Sequence, residues 1–252
     1  MLILLPPSEG KAVPLEGPPV SLDSLSHPTL GPQRQRVGNA LIKVSGQRNA
    51  LQLLGAGPSL APELERNRTL WTNPTDAAAR VYTGVLYEAA GMAQWSQDQL
   101  DLARDRVRIM SALWGALSPA DAIPAYRLSM GSSLGNIGPL AAVWRKHLEQ
   151  PLTDLVQDHL VVDCRSGGYV AAWKPAHPAL WVPIRVERDV NGHRSVVSHH
   201  AKHARGLLTG ALAVLPTAPR TRDELADAAS ALIGSGLSDV ELTSGGLTLV
   251  VR

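Results

Sequence analysis

The chain has 252 residues, 44% of them hydrophobic and 18% charged, enough to bury one large core. A formal charge of +2 is mildly basic and permits a nucleic-acid partner without demanding one, because only a clustered patch is diagnostic. The single cysteine, Cys164, excludes an internal disulfide and a multi-cysteine zinc site, and with them a secreted disulfide scaffold.

Residues 1–5 read as a buried strand that runs into Pro6-Pro7-Ser8-Glu9-Gly10-Lys11. Five apolar residues with no cationic lead do not make a signal peptide. No apolar run approaches the roughly 20 residues that cross a bilayer. These features predict a cytoplasmic protein without a membrane partner. Residues 12–32, rich in proline and small polar side chains, read as an irregular surface connection. Helices are expected over 33–44 and 47–54, from near Pro62, over 75–92 and over 97–105, followed by an apolar strand or helix at 107–117. Residues 160–164 suit an inner strand. Residues 181–187 and 194–199 flank Asn191-Gly192, a hairpin signal because both turn positions need positive φ. Helices follow at 201–214 and 222–232, then a second hairpin at Ser244-Gly245-Gly246 with 247–251 as its return strand. Strands and helices mixed without regular β-α-β alternation predict one α+β domain over 1–252.

Leu54-Gly55-Ala56-Gly57-Pro58-Ser59-Leu60-Ala61 fits apolar-Gly-apolar-Gly-x-x-x-Ala, the turn of a helix-hairpin-helix element spanning about 45–70. Two glycines let the backbone turn tightly against a ligand, and the first amides of the next helix face an oxyanion. Such contacts hold a phosphate backbone without reading bases. Arg48, Arg66 and Arg68 flank the turn. The competing reading is a plain helix C-cap at Gly55 with a proline-containing restart.

Five ordered segments together resemble the YaaA family of peroxide-stress proteins. They are residues 1–4 leading into Pro7-Ser8-Glu9-Gly10-Lys11; Val81-Tyr82-Thr83-Gly84; residues 108–117 continuing through Pro119, Asp121 and 124–131; Asp163 to Tyr169 with Lys174-Pro175; and residues 202–207. The resemblance implies a strand-built, barrel-like core wrapped by helices, a positively charged cleft, a helix-hairpin-helix element, DNA binding with little sequence specificity, and a role in limiting peroxide damage. Where family members often carry Asp-Glu before the tyrosine, this chain has Gly167-Gly168, so a role tied to those acids is not carried over.

The matched segments contribute Lys11, Arg127, Lys174, Lys202 and Arg205, with the hydroxyls of Ser111, Tyr126 and Tyr169. Arginine forks and lysine point charges suit phosphate or carboxylate, and the two tyrosines suit base stacking. Together with Gly55 and Gly57 these residues form the expected anion-binding set. Two function classes remain open. One is a DNA-binding stress protein without turnover. The other is an enzyme acting on a nucleotide or a modified nucleobase in the same pocket, with Lys11, Asp163 and Tyr169 as acid–base candidates. A phosphate-binding loop at Gly10-Lys11 is rejected, because Ala12 follows the lysine and the upstream glycine is missing. His199 and His203 invite a metal, but no acid is close in sequence, and neither a metal nor a cofactor is expected. Cys164, ending an apolar strand, reads as a buried structural thiol.

Overall fold

Four apolar runs form the centre of the molecule because nearly every position in them is hydrophobic, so both faces can be buried. They are β1 (Leu2–Leu5), β3 (Val107–Ser111), β6 (Val161–Asp163) and β10 (Gly246–Val251), all buried along their length. The computed structural model describes residues 1–132, 134–190, 193–196 and 199–252, with Pro178, Val196 and His199 described by backbone alone. The remaining strands are β2 (Asp76–Ala77), β4 (Gly115–Leu117), β5 (Ala122–Ile123), β7 (Trp181–Val190), β8 (His193–Val196) and β9 (Asp239–Thr243).

The main sheet runs β4-β3-β1-β6-β7-β10-β9, with β8 paired to the far end of β7. β1 lies between β3 and β6 and is parallel to both. β7 pairs in parallel with β6 through Trp181–Pro183 and with β10 through Ile184–Arg188. Five successive strands are therefore parallel, and antiparallel β4, β8 and β9 occupy the margins. β2 and β5 form a separate antiparallel pair. Two expectations are corrected here. The sheet is open, with no closed barrel among the described residues, and its parallel centre makes the molecule a mixed α/β domain rather than the expected α+β one. Both expected hairpins have paired arms, but Asn191-Gly192 lies outside the described residues.

Around the sheet lie α1 (Gly31–Ser45), α2 (Ala50–Leu53), α3 (Ala61–Asn67), α4 (Ala78–Val81), α5 (Val85–Ala89), α6 (Gln97–Arg106), α7 (Leu140–Val156), α8 (Gly167–Val170), α9 (His199–Ala213) and α10 (Arg222–Ser230). Helix α6 starts in a reciprocal cap: Ser96 Oγ accepts from the Gln99 N–H, and the Gln99 side chain accepts from the Ser96 N–H. The helix expected over 75–92 is two short helices instead. Tyr82 between them is extended and bridges to Lys11, which ties the segment after β1 to this chain. Helix α7 has no counterpart among the expected elements. It buries Leu140, Trp144, Leu148, Leu152 and Val156, one residue every four positions along a single face.

Helix α9 packs on α5 almost backbone to backbone. A Cβ on Gly206 would stand 2.3 Å from the Leu86 carbonyl oxygen, and one on Gly210 would stand 2.7 Å from that of Ala90. Only glycine permits this approach.

Candidate functional site

In open sheets with parallel strands, ligands bind beyond the carboxyl ends of the strands. Here β1 ends at Leu5 and β6 at Asp163, and past them opens a cleft of about 490 Å³. Pro6, Pro7, Ser8, Glu9 and Gly10 wall it on one side and Thr83 to Tyr87 on another. Cys164, Ser166 and Tyr169 follow β6, and α9 contributes Lys202 and Arg205. Hydrogen bonds order the loop after β1. Tyr87 OH donates to Pro6 O at 2.7 Å, Ser8 Oγ donates to Gly10 O at 2.5 Å, and Thr83 N–H donates to Ser8 Oγ at 3.1 Å.

The five expected cations are distributed unequally. Lys202 and Arg205 line the cleft, Lys202 exposed and Arg205 anchored by donating to Ile184 O at 2.8 Å. Lys11 and Arg127 form a second group behind the Ser8–Gly10 loop. Arg127 pairs with Glu9 at 2.9 Å and with Glu63 at 3.6 Å. Half-buried Lys11 donates to Ser8 O at 2.8 Å and to Glu9 O at 3.3 Å, with its ammonium 4.4 Å from the Tyr126 ring centre and 5.4 Å from that of Tyr82. Burial pushes the Lys11 ammonium down to about 7; Glu9 opposes the shift and Arg127 adds to it. Lys174 is separate. It lies 5.7 Å from the Trp181 ring centre and does not line the cleft.

Several candidates turn out to be internal. Ser111 is fully buried, and its Oγ accepts from the Leu113 and Trp114 amides. With both lone pairs engaged, Ser111 donates to Tyr126 OH at 2.7 Å, and the Tyr126 and Tyr82 hydroxyls share a further hydrogen bond of 2.7 Å. Tyr126 is only 2% exposed, so base stacking on it is ruled out. Tyr169 lines the cleft, yet burial, with Glu9 nearby, holds its phenol above the ordinary range. Asp163 forms a buried ion pair with Arg165 at 2.7 Å. It also accepts from Trp181 Nε1 at 2.9 Å. Burial opposes ionisation, but the Arg165 hydrogen bonds and charge outweigh it and keep the carboxyl below its usual range. Asp163 is thus a fixed structural anion and not a proton donor. Arg165, which strand alternation alone would turn to the opposite face, also donates to Trp173 O at 2.9 Å and Tyr169 O at 3.3 Å. It staples the segment bearing Ser166 and Tyr169 to β6.

The glycine turn is a helix C-cap. Ala56 N–H bonds to Leu51 O at 2.8 Å and Gly55 N–H to Gln52 O at 3.2 Å, the six-to-one and five-to-two pattern that closes α2, with Gly55 at φ +62°. Gly57 is extended, and a single 3₁₀ turn at Pro58–Leu60 precedes α3. With α2 four residues long and α3 seven, a helix-hairpin-helix is not what this segment displays.

Among the described residues no group of three His, Cys, Asp or Glu could hold a metal ion, and the His199 side chain lies outside them. Cys164 is fully buried, and burial pushes its thiol up to about 12. No helix among the described residues is long and apolar enough to cross a membrane. Sequence reasoning missed Glu9 and Val85 to Tyr87 as cleft residues, although Glu9 lies inside the matched 7–11 segment and Val85 follows directly on the matched 81–84 segment.

A family model described as peroxide stress protein YaaA matches residues 1–229. A UPF0246 protein of Streptomyces coelicolor is 38% identical over 232 residues, covering 90% of this chain and 88% of its own. A UPF0246 protein of Corynebacterium efficiens is 39% identical over 259 aligned residues, covering 100% of both chains. One from Phenylobacterium zucineum is 33% identical over 223 residues, covering 82% of this chain and 80% of its own. The chain belongs to the YaaA (UPF0246) family of peroxide stress proteins.

Proposed function

We propose that this protein acts in the cytoplasm during peroxide stress by binding DNA through its phosphate backbone at the cleft beyond β1 and β6. The observation that carries the reading is the placement of Lys202 and Arg205 on one wall of that cleft, with Lys202 free of any hydrogen bond or ion pair among the described residues. An exposed unpaired ammonium beside an anchored guanidinium suits a phosphate, which gains a point charge and a fork donor together. The 45–70 segment is not needed for this reading. Phosphate contacts release counterions, so affinity for unrelated duplexes falls as salt rises, with a slope near −0.9 per neutralised phosphate. Lys202→Gln reduces that slope by about 0.9. Absence of binding at low salt, or binding indifferent to salt, refutes the function.

Lys11 favours a second reading. Lys11, pushed down to about 7 behind the loop that walls the cleft, is a candidate general base at neutral pH, whereas Asp163 and Tyr169 are held away from that range. Turnover of a modified nucleotide by the protein, abolished in Lys11→Arg, would move the assignment from binding to catalysis.

A further inference from the structure

A site for backbone phosphate alone needs cations and amides but no apolar pocket. This cleft has one. Besides the cations of α9, the cleft is lined by the apolar side chains of Pro6, Pro7, Val85 and Leu86. Pro6 and Pro7 cannot donate from their backbone, and Tyr87 turns its hydroxyl to Pro6 O instead of to a ligand. The volume, about 490 Å³, lies in the range of small-molecule sites and exceeds what one phosphate fills. Thr83 and Ser166 also line the cleft and carry hydroxyls that suit the polar edge of a ring or a sugar, whereas the Ser8 hydroxyl is spent on Gly10 O and the Thr83 amide.

We propose that the cleft holds one whole nucleotide unit, with its phosphate against Lys202 and Arg205 and its base or sugar against Pro6, Pro7, Val85 and Leu86. This rests on the DNA-binding reading and deepens it. The unit comes either from DNA, where an unpaired nucleotide is swung out of the stack, or from a free nucleotide; the chemistry recognised is the same. Extruding a base that has no partner costs least, so a duplex with a single-nucleotide bulge presents the unit most readily.

The test compares binding of four probes by the full chain: a matched duplex, the same duplex with one bulged 2-aminopurine, free dAMP and deoxyadenosine. If the unit comes from DNA, the bulged duplex binds at least about tenfold more tightly than the matched one, the 2-aminopurine fluorescence changes on binding, and Val85→Trp brings the ratio to about one. If the source is free nucleotide, dAMP saturates the site, deoxyadenosine binds at least about tenfold more weakly, and the bulge confers no preference. Equal affinity for bulged and matched duplexes together with no dAMP binding overturns the proposal while leaving backbone binding standing. Failure to bind the matched duplex at low salt is instead a failure of the DNA-binding function. The two duplexes and dAMP are compared on the unaltered protein, so that comparison decides the matter even if the Val85→Trp chain does not fold.

Discussion

Replacing Asp163 with asparagine removes one charge from a pair whose side chains are 2% and 0% exposed. The carboxylate accepts from the Arg165 backbone N–H at 3.0 Å, from Arg165 Nε at 2.8 Å and NH2 at 2.7 Å, and from Trp181 Nε1 at 2.9 Å. Asparagine keeps one acceptor oxygen and turns an NH₂ toward a guanidinium that has nowhere to find water. Breaking a buried pair from one side costs about 3–5 kcal/mol. At about 2–4 °C per kcal/mol for a domain of this size, Asp163→Asn lowers the melting temperature by about 6–20 °C. Acid supplies a second signature. The pair holds the folded-state carboxyl below its unfolded value, so its stabilisation is present at neutral pH and is lost as pH falls through the folded value, below about 3.9. Asp163→Asn should therefore lack that part of the acid limb. Replacing both partners with apolar residues, Asp163→Leu with Arg165→Met, should recover much of the loss, since the cost lies in the stranded charge. Thermal melts from about pH 2.5 to 7 measure all three effects. An Asp163→Asn protein that melts within about 2 °C of the parent at neutral pH would refute the assignment of Asp163 as a structural anion.

Competitive acylation of Lys11 across pH should give a midpoint near 7, and a midpoint near 10 removes the basis for its role as a base. Because the unfolded amine holds its proton to higher pH, this lysine also makes stability rise between about pH 7 and 10.5, a slope that Lys11→Met should flatten in melts. Cys164 should resist thiol reagents in the native state, and Cys164→Ser should leave DNA affinity unchanged while costing about 1–3 kcal/mol in urea unfolding; rapid native-state labelling contradicts the buried thiol. Gly55→Asn combined with Gly57→Ala keeps the helix cap yet adds bulk where a phosphate would approach, so unchanged DNA affinity is expected. A tenfold loss in the folded double variant would restore the glycine turn as a binding element.

β1, β6 and the hairpin strands were readable because their apolar runs are short and bounded and the Asn-Gly and Gly-Gly signals mark the turns, whereas residues 107–117 stayed open between strand and helix and β2 and β5 had no expected counterpart. Which strands become neighbours was not readable. That β1 sits between β3 and β6 depends on contacts across more than 100 residues, although runs apolar at every position already favour a parallel, doubly covered sheet over an alternating one. Helix α7 did leave a signal, the four-residue spacing from Leu140 to Val156, but Pro151 sits inside it and breaks the usual grammar of a helix. At the site, charge was legible and its burial was not. Lys202, Arg205 and Arg127 look alike in sequence, yet only the first two line the cleft, while Arg127 is engaged by Glu9 and Glu63. Ser111 and Tyr126 belong to a buried hydroxyl chain, which a motif cannot distinguish from a ligand contact.

The close approach of α9 to α5 makes the two sides of the cleft mechanically unlike. Val85 and Leu86 stand on one helix and Lys202 and Arg205 on the other, and the distance between those helices is fixed where Gly206 meets the Leu86 carbonyl. No change of side-chain rotamer can narrow or widen that jaw. The Pro6–Gly10 loop is held instead by contacts outside the sheet ladder: hydrogen bonds from Tyr87, Thr83 and Lys11 and the Arg127–Glu9 ion pair. Any accommodation to ligands of different size therefore falls to the loop. A methyl group at position 206, which touches no ligand, would reset the spacing of the cationic wall from outside the cleft.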